Sequence, residues 1–493
     1  MAKKVELQIP LNRVEGDLDI HVTIEDGVIT DAKSIGTLYR GFENILKGRD
    51  PLDALVMTPR VCGICSISHL SAAVKALEDA YEITPPIQAV RFRNLSILCE
   101  NIQSDIKQVF LMFMADFAHD YYQGYSFYDL AKRYYTPFKG ELAREVLNAT
   151  KDILKIIAYI GGQWPHTSHM VPGGLNVLAD DLEIFRIRSL ILQFKSWYEN
   201  KVLKSSYDDF FRLKSVKDLE KYVEKFPESH LGIFYKIAKE TDLFEIGKCG
   251  YGFINFGSME LDENCLIPRS FCSPRKEDLD ISKITEDVTY AWYERTSLDP
   301  MKAKTRPNVH KDGAYSFTKA PRYNDMPAQT GALGEELALE NEFFLDLYEQ
   351  YGDCVFVREF ARMVRPIRYI HFMEKEIEKI IANKDQELYI KPKYKKNAKG
   401  IGLTHAARGA LGHWIKIKDH KIENYQIISP TTWNGSIRDR DGNFGPWEKA
   451  LIGLRIKDRE NPMELGHVIR SFDPCLVCSV HFIGSDKKVT FKG

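Results

Sequence analysis

Two cysteine pairs with the spacing of metal ligands lie near opposite ends of the 493-residue chain. Their sequences are Cys62-Gly63-Ile64-Cys65 and Cys475-Leu476-Val477-Cys478, and a histidine follows each pair, at His69 and His481. A spacer of two residues lets both sulfurs of a pair bind one metal ion. The pattern therefore predicts metal chemistry carried by thiolates.

Spacing alone leaves three interpretations of these four cysteines open. Four thiolates suit a structural zinc ion, but the pairs of a zinc ribbon lie about 15 to 20 residues apart, and almost the whole chain separates these two. The pairs could instead be unrelated redox or buried cysteines. A catalytic metal centre is the third interpretation, because a structural zinc site would not need so long a separation.

The other five cysteines show no pairing typical of iron-sulfur ligation. They are Cys99, Cys249, Cys265, Cys272 and Cys354. An odd total of nine cysteines in a long chain is unlike a disulfide framework and favours a reducing compartment. We expect these five to be buried small hydrophobes.

The composition, with 44% hydrophobic and 28% charged residues, is typical of a soluble globular protein. Its 68 basic and 69 acidic residues give a net charge of -1, which offers no general field to attract nucleic acid or an anionic membrane. The N-terminus has no signal-peptide pattern, and the longest apolar stretches are far shorter than the about 20 residues that cross a bilayer. We therefore expect no membrane span and a cytoplasmic location.

Alternating hydrophobicity predicts two β-hairpins. Residues from Leu18 to Ile24 alternate between apolar and polar before Asp26-Gly27, a pair typical of a tight turn. A weaker alternation flanks the polar stretch 418–421, and its apolar members are Trp414, Ile417, Ile422 and Ile427. Each hairpin needs a larger body on which to pack its apolar face.

Between the hairpins, apolar residues recur at spacings of three and four, which predicts helices over 86–118, 180–213, 334–351 and 356–381. Pro366 predicts a kink or break in the last of them, because proline removes a helical hydrogen bond. The span 261–332 is rich in proline, glycine and charged residues and predicts irregular surface. The predicted fold is α+β but mainly α, a large helical bundle core with small β-hairpin or sheet appendages.

The residues around both cysteine pairs, 60–69 and 473–481, resemble the two signatures of nickel-iron hydrogenase large subunits. The resemblance continues through Arg13-Val14-Glu15-Gly16, Arg40-Gly41-Phe42-Glu43, Tyr315 to Tyr323, Arg408-Gly409 and Thr431-Thr432-Trp433-Asn434. It implies the hydrogenase large-subunit fold. It also implies reversible heterolytic cleavage of molecular hydrogen to protons and electrons, the reaction of an oxidoreductase that takes hydrogen as donor.

In that family the cysteines hold a Ni-Fe centre whose iron carries carbon monoxide and cyanide. The resemblance implies that Cys62, Cys65, Cys475 and Cys478 bind nickel, and that Cys65 and Cys478 also bridge to iron. Soft thiolates fit this role, because they stabilise nickel in more than one oxidation state and leave an open position for hydrogen.

The resemblance also assigns a proton path and a charged group above the metal. It implies that Cys475 receives the proton and that Glu15 relays it, if burial raises the pKa of that carboxyl. It places Arg408 over the metal, held by Asp116 and Asp473. Without the motifs, Glu15 would be interpreted as a solvated residue before a turn, and Asp116 could be an exposed helical residue.

Two residues beside Arg408 depart from the family's common pattern. Ala407 stands where many members have proline, and His405 stands where an acidic residue is frequent. The departure affects how neighbouring residues adjust the properties of Arg408. The resemblance still implies the role of Arg408 itself.

The resemblance implies a magnesium ion away from nickel, bound by Glu43, His481 and the carbonyl of Gly435. A carboxylate and a carbonyl are hard ligands appropriate to that ion, although Ile437 replaces a more usual proline after Gly435. His69 is either hydrogen-bonded near a cysteine sulfur or a satisfied core histidine.

The resemblance further implies a heterodimer with an iron-sulfur small subunit that takes the electrons, together with nickel-insertion factors and a maturation endopeptidase. That protease would remove residues 482–493 and leave 1–481 as one catalytic unit. Gln163 to His166 and Met170 to Gly174 are most similar to the cytosolic uptake and sensing branch. The tail favours hydrogen uptake, since sensors of this branch typically lack one. A hydrogen sensor and a structural four-cysteine zinc protein are the alternatives.

Overall fold

The computed structural model describes the backbone of residues 4–177, 179–261 and 264–479, with their side chains except at 261, 264, 265, 478 and 479. The side chains of Cys265 and Cys478, His481 and the tail 482–493 therefore lie outside the described residues. Predictions that rest on them stay predictions.

The described strands form five small antiparallel sheets, each built from strands that are consecutive along the chain. The strands are β1 (Lys4–Pro10), β2 (Leu18–Glu25), β3 (Val28–Gly36), β4 (Met170–Val171), β5 (Gly174–Leu175), β6 (Phe253–Leu261), β7 (Asn264–Cys272), β8 (Lys276–Asp278), β9 (Ile284–Asp287), β10 (Ala320–Tyr323), β11 (Ala398–Ala406), β12 (Gly409–Lys418) and β13 (Lys421–Ile428).

Helices account for most of the regular secondary structure. They are α1 (Phe42–Leu46), α2 (Asp53–Met57), α3 (Ser66–Tyr81), α4 (Ile87–Lys107), α5 (Tyr128–Tyr135), α6 (Glu141–Gly161), α7 (Asp181–Trp197), α8 (Tyr207–Phe211), α9 (Val216–Lys225), α10 (His230–Glu240), α11 (Ala332–Ala338), α12 (Glu342–Tyr351), α13 (Val355–Ala382), α14 (Pro430–Asn434), α15 (Pro446–Leu451), α16 (Met463–Arg470) and α17 (Leu476–Ser479).

Both predicted hairpins are present, and each gains a third strand. In β2 every second residue is buried, and Asp26 and Gly27 take positive φ angles of 50° and 83° in the turn to β3. The later hairpin is β12 and β13, with β11 on its outer edge. The alternation of apolar and polar residues therefore predicted the two strands of each hairpin but not the third strand of each sheet.

The core is a packed group of helices centred on α13, which contacts α4, α7 and α11. This helix runs for 28 residues with Pro366 in its interior. Of the predicted kink or break, the break is therefore wrong and the kink stays a prediction. Residues 355–367 of this helix are all buried, and tertiary packing routinely overrides local propensity. The predicted helix over 86–118 ends instead in a π-helical segment, Gln108–Phe113, and a 3-10 segment, Met114–Ala118.

Strand β11 lies directly on the backbone of α3. A Cβ atom at Gly402 would be 1.9 Å from the carbonyl oxygen of Ala72, and one at Gly400 would be 2.0 Å from that of Ala76. Only glycine permits so close an approach between a strand and a helix. The position of α3 is thereby fixed against the sheet that carries Arg408 at its turn.

The prediction of irregular surface over 261–332 is wrong in part. Strands β7 to β10 lie in this span, and β10 is buried at every position while β9 is buried at three of its four. Strands covered on both faces lack the alternation that reveals a half-buried strand. In the part of the chain that the structure describes, none of the helices is both long and apolar enough to cross a membrane.

Candidate metal centre

Three cysteine sulfurs meet in the interior, where the two ends of the chain come together. The sulfur atoms of Cys62, Cys65 and Cys475 all lie within 4.8 Å of one another, and those of Cys62 and Cys475 are 3.4 Å apart. All three residues are buried, and Cys478 lies in α17, which begins directly after Cys475. This convergence is what a shared metal site requires, and it opposes the interpretation as unrelated pairs.

The C-terminal pair is held by the N-terminal segment around Glu15. The amide of Glu15 donates to the carbonyl of Pro474 at 3.2 Å, and the amide of Leu476 donates to the carbonyl of Glu15 at 2.7 Å. These bonds form a parallel bridge between Glu15 and Cys475. The backbone of the predicted proton relay is therefore fixed beside the predicted proton acceptor.

Two further contacts hold the same junction. Gly16 has a φ of 85°, and a Cβ there would lie 3.0 Å from the amide nitrogen of Val477. Glycine is required on both counts, since other residues rarely adopt that φ. On the opposite side, the hydroxyl of Thr431 accepts the amide of Cys475 at 3.1 Å.

Arg40 links the two cysteine segments. One nitrogen of its guanidinium donates to the carbonyls of Val61 and Val477, which immediately precede Cys62 and Cys478. A guanidinium presents its donors in a fixed planar fork, so one side chain sets the separation of both segments. Arg40 is part of a family motif, but its bonds could not be predicted from the sequence. Every residue type has a backbone carbonyl, so nothing in the sequence marks Val61 and Val477 as its acceptors.

A buried carboxyl caps the helix that follows the first pair. Helix α3 begins one residue after Cys65, and Glu100 of α4 accepts the amides of Ile67 at 2.7 Å and Ser68 at 2.9 Å, and the Ser68 hydroxyl at 2.8 Å. Burial raises the pKa of Glu100 to about 7, against the lowering effect of these hydrogen bonds. The carboxyl satisfies amides that the first turn of a helix leaves unpaired. The sequence had not predicted this role.

Glu15 and Arg408 bring opposite charges close to the sulfurs. Burial raises the pKa of Glu15, and the negative charge of Cys62 raises it further. Burial acts to lower the pKa of Arg408, but Asp473 and the nearby cysteines raise it well above its ordinary value. The carboxyl is thus suited to exchange a proton, whereas the guanidinium stays charged.

Arg408 is held on one side by Asp473. Its Nη2 lies 2.9 Å from Oδ1 of Asp473, and its Nε donates to the carbonyl of the same residue at 3.0 Å. Its Nη1 donates to the hydroxyl of Ser104 at 3.4 Å. These contacts use three different nitrogens, so the guanidinium plane is fixed.

Asp116 has other partners than the predicted one. Its carboxylate accepts from Arg13 and, at 2.7 Å, from Arg470, and His467 lies 3.6 Å away. The charges of Arg470 and Arg13 lower the pKa of Asp116 despite the opposing effect of its burial. Among the contacts that the structure describes, only Asp473 of the two predicted carboxylates binds Arg408. The expectation of a two-carboxylate clamp is corrected accordingly.

His69 lies in a buried row of hydrogen-bonding rings. Its Nδ1 is 3.1 Å from Nε2 of His413, whose Nδ1 is 2.8 Å from the hydroxyl of Tyr425. Burial lowers the pKa of His69 to about 4 and that of His413 well below its ordinary value, so both rings are neutral. With Tyr425 donating, each ring donates in turn towards the cysteines, and Nε2 of His69 would carry a hydrogen near Cys62.

The predicted magnesium ligands are only partly brought together. Glu43 accepts the amide of Ile427 at 2.9 Å and lies 3.3 Å from the ammonium of Lys319, which also binds Glu286 at 2.9 Å. The carbonyl of Gly435 instead accepts the hydroxyl of Ser34 at 3.3 Å. The backbone against Glu43 is therefore that of β13 rather than Gly435, while His481 lies beyond the described residues.

Comparisons with known proteins agree with this geometry. A family described as nickel-dependent hydrogenase matches residues 40–123 and 115–481 of the chain. The periplasmic NiFeSe hydrogenase large subunit of Desulfomicrobium baculatum is 32% identical, over 98% of this chain and 96% of the relative. The uptake hydrogenase large subunit of Rhodobacter capsulatus is 26% identical, over 97% of this chain and 95% of the relative.

Solved structures show the same likeness in three dimensions. The reduced Ni-Fe-Se hydrogenase from D. vulgaris Hildenborough matches with a TM-score of 0.83 and 28% identity. The match covers 98% of this chain and 100% of that one. The mainly helical architecture, with its small sheets, is therefore shared along the whole length of the solved structure.

Proposed function

Since the chain belongs to the nickel-dependent hydrogenase family, we propose that it cleaves molecular hydrogen heterolytically and reversibly, in the direction of hydrogen uptake. As the large, catalytic subunit of a Ni-Fe hydrogenase it is an oxidoreductase. The observation that supports the reaction most strongly is the meeting of both chain ends at three buried sulfurs.

The residues present fit the group that the family implies. Three described sulfurs lie close enough to share one metal ion, and soft thiolates suit nickel. Cys62, Cys65, Cys475 and Cys478 would hold nickel, and Cys65 and Cys478 would also hold the iron with its carbon monoxide and cyanide. When bound, this centre supplies the site at which hydrogen is split and from which electrons leave.

Glu15 is proposed to move the proton. Its backbone bonds to both neighbours of Cys475 hold residue 15 beside the cysteine that would first receive a proton, which supports this role. Burial raises the pKa of Glu15, which makes its carboxyl a better proton acceptor than an exposed glutamate. Glu15 is half-buried rather than enclosed, which leaves it able to pass the proton outward.

Arg408 is proposed to hold a permanent positive charge over the cysteines. Asp473 and Ser104 fix its orientation, and the cysteines lie near enough to influence its pKa. A fixed guanidinium can polarise a bound molecule or donate to a cyanide nitrogen without reorganising.

The cluster around Glu43 is proposed to bind magnesium with His481. Two carboxylates, Glu43 and Glu286, face a single ammonium, that of Lys319, in a buried setting. One negative charge is left over, and a cation or a proton must balance it. A backbone carbonyl would complete a set of hard ligands. The backbone group that contacts Glu43 in the structure is the amide of Ile427, and the carbonyl of Gly435 accepts from Ser34.

An iron-sulfur small subunit is proposed to receive the electrons in a heterodimer. Among the described residues, the one group of His, Cys, Asp and Glu side chains spaced for a metal is that of Cys62, Cys65 and Cys475. The curated relatives are named large subunits, which supports a smaller partner. Nickel-insertion factors and an endopeptidase that removes 482–493 are proposed for maturation, and the mass of the mature chain would test the cleavage.

The cytoplasmic location stays a prediction that the comparisons do not support. One relative is named periplasmic and another, from Wolinella succinogenes, is named quinone-reactive. Cell fractionation would decide the location.

Infrared spectroscopy together with metal analysis tests the proposed function. The chain is co-expressed with its genomic partner and maturation factors, and hydrogen uptake is assayed in the same sample. We expect one nickel per chain, infrared bands of metal-bound carbon monoxide and cyanide, and sustained turnover. Zinc without those bands in matured protein would overturn the proposal in favour of a structural site, and bands with negligible turnover would favour a hydrogen sensor.

A further inference from the structure

The turn that carries Arg408 is held by a second, fully buried arginine. Ala407 precedes Arg408 between β11 and β12, and its carbonyl accepts from Nη2 of Arg365 at 2.5 Å. Arg365 lies in α13 with none of its side chain exposed. A carbonyl bond to the residue just before Arg408 fixes the direction in which that side chain leaves the turn.

Arg365 is itself locked by two carboxylates from different helices. It binds Asp105 of α4 with two nitrogens, Nε to Oδ2 at 2.8 Å and Nη2 to Oδ1 at 2.5 Å. Its Nη1 binds Glu335 of α11 at 2.5 Å. Glu335 also lies 3.0 Å from Nε2 of His405, which is three residues before Arg408. Arg365 and Glu335 therefore contact the segment before Arg408 at two points, the carbonyl of Ala407 and the ring of His405.

The same cluster reaches Arg408 from its other side. Arg362, one helical turn before Arg365, lies 3.8 Å from Asp105 and 3.4 Å from Asp473, the carboxylate that binds Arg408. Three guanidiniums and three carboxylates thus alternate between α11 and the metal centre. Their formal charges balance, and the removal of one member would leave a buried neighbour unpaired.

We propose that Arg365 is a positioning residue for Arg408, acting through the Ala407 carbonyl and through Asp105, Arg362 and Asp473. The inference deepens the proposed function and rests on it, because it assumes that Arg408 acts at the metal centre. In this chain, where residue 407 is alanine, the bond from Arg365 restrains the turn from outside. Catalysis is then sensitive to a side chain that touches neither the metal ligands nor hydrogen.

The neighbouring Arg368 provides a matched control. It lies one turn further along α13 and binds Glu336 of α11 with two nitrogens, at 2.6 and 2.5 Å. It therefore joins α13 to α11, as Arg365 does through Glu335, and forms a two-nitrogen fork like the one that Arg365 forms with Asp105. Its described bonds do not include the carbonyl of Ala407 or the carboxylate of Asp105. Lysine at either position keeps the charge and removes the planar fork.

The experiment compares R365K with R368K in the matured complex. We expect both to keep nickel, and R365K to slow hydrogen–deuterium exchange about ten-fold or more, because small misplacements near a reacting group are costly. R365K should also shift the infrared bands of cyanide and carbon monoxide, whereas R368K should leave the exchange rate and the bands unchanged. A purely structural role for Arg365 would lower thermal stability without moving the bands.

Equal exchange rates and equal bands in the two variants would overturn the inference. If R365K does not take up nickel, D105N and its control E336Q are compared by the same two measurements. D105N removes the carboxylate that binds Arg365 with two nitrogens, and E336Q removes the one that binds Arg368 in the same way.

The unmodified complex is measured first. Bands without hydrogen exchange in that complex would defeat the proposed function itself, whereas an active complex with indistinguishable variants would defeat the role of Arg365 alone.

Discussion

Glu15 is the residue at which proton transfer can be separated from metal binding. Glutamine has the same shape but cannot carry the proton, and the two backbone bonds of residue 15 do not depend on its side chain. We expect Glu15→Gln to keep its nickel and to slow hydrogen–deuterium exchange by about a hundred-fold or more. Glu6→Gln on the exposed face of β1 is the control. Unchanged exchange in the Glu15 variant would remove this residue from the proton path.

Asp473 combines an unusual backbone with a buried charge. Its φ is 54°, a conformation that asparagine adopts more readily than alanine. Asp473→Asn should therefore keep the backbone but remove the carboxylate charge that faces Arg408 and Arg362, at a cost of about 3 kcal/mol. Asp473→Ala should cost about 1 kcal/mol more, because it also strains the backbone.

Thermal unfolding of the two Asp473 variants and the unmodified subunit checks this order. Hydrogen–deuterium exchange should fall in both variants, since Arg408 loses its orienting partner. An alanine variant as stable as the asparagine variant would show that the left-handed backbone at 473 carries no strain.

The motifs predicted which side chains gather at the metal centre, because each motif keeps its chemistry within a few residues. The charge of Cys62 acts on both Glu15 and Arg408, and Asp473 pairs with Arg408, while the roles of these residues stay predictions. The partner of Asp116 could not be predicted, since Arg470 lies 354 residues away and any of the 68 basic residues was a candidate. Ion pairs between residues this far apart in sequence depend on how the helices pack, and a local sequence pattern does not predict that packing.

At the scale of elements, the contact between β11 and α3 determines where the first cysteine pair lies. Cys65 is the residue before α3 begins, and Gly402 presses on the helix backbone at Ala72. Gly402→Ala would place its Cβ 1.9 Å from the Ala72 carbonyl, so the helix or the strand must move. We expect less nickel per chain and a lower thermal midpoint.

Metal analysis and thermal unfolding of the Gly402 variant check this prediction. Ile401→Ala is the control, because it alters the same strand without adding an atom against α3. Normal nickel content in Gly402→Ala would mean that the cysteines tolerate a displaced α3.

Strands were predicted correctly where one face of the strand is more buried than the other, and were missed where both faces are buried. The alternation in β2 reflects one buried and one half-exposed face, whereas β10 is buried throughout and carries no alternation. Proline in α13 predicted a break from local chemistry alone. The helix persists because its buried residues pack along its length, which is information that a local pattern lacks.

At the scale of the whole molecule, the fold brings its two ends together in more than one place. Besides the bridge between Glu15 and Cys475, Glu448 of α15 accepts the amide of Ser34 in β3 at 3.1 Å across 414 residues of sequence. The same carboxyl accepts the hydroxyl of Tyr315 at 2.7 Å. A buried carboxyl therefore connects the N-terminal sheet to the C-terminal helix α15.

This connection should make stability depend on pH. Burial raises the pKa of Glu448 from 4.5 to about 7, so the folded protein holds a proton that the unfolded chain has lost over that interval. The stabilising contribution is complete below pH 4.5 and is lost as pH rises through about 7. Glu448→Gln keeps the shape without titrating, so its thermal midpoint should rise relative to that of the unmodified protein between pH 5 and pH 8. Parallel midpoints across this range would mean that Glu448 is ionised in the folded state. The hydrogen bonds from Tyr315 and Ser34, together with the charge of Arg438, all lower its pKa and would then outweigh burial.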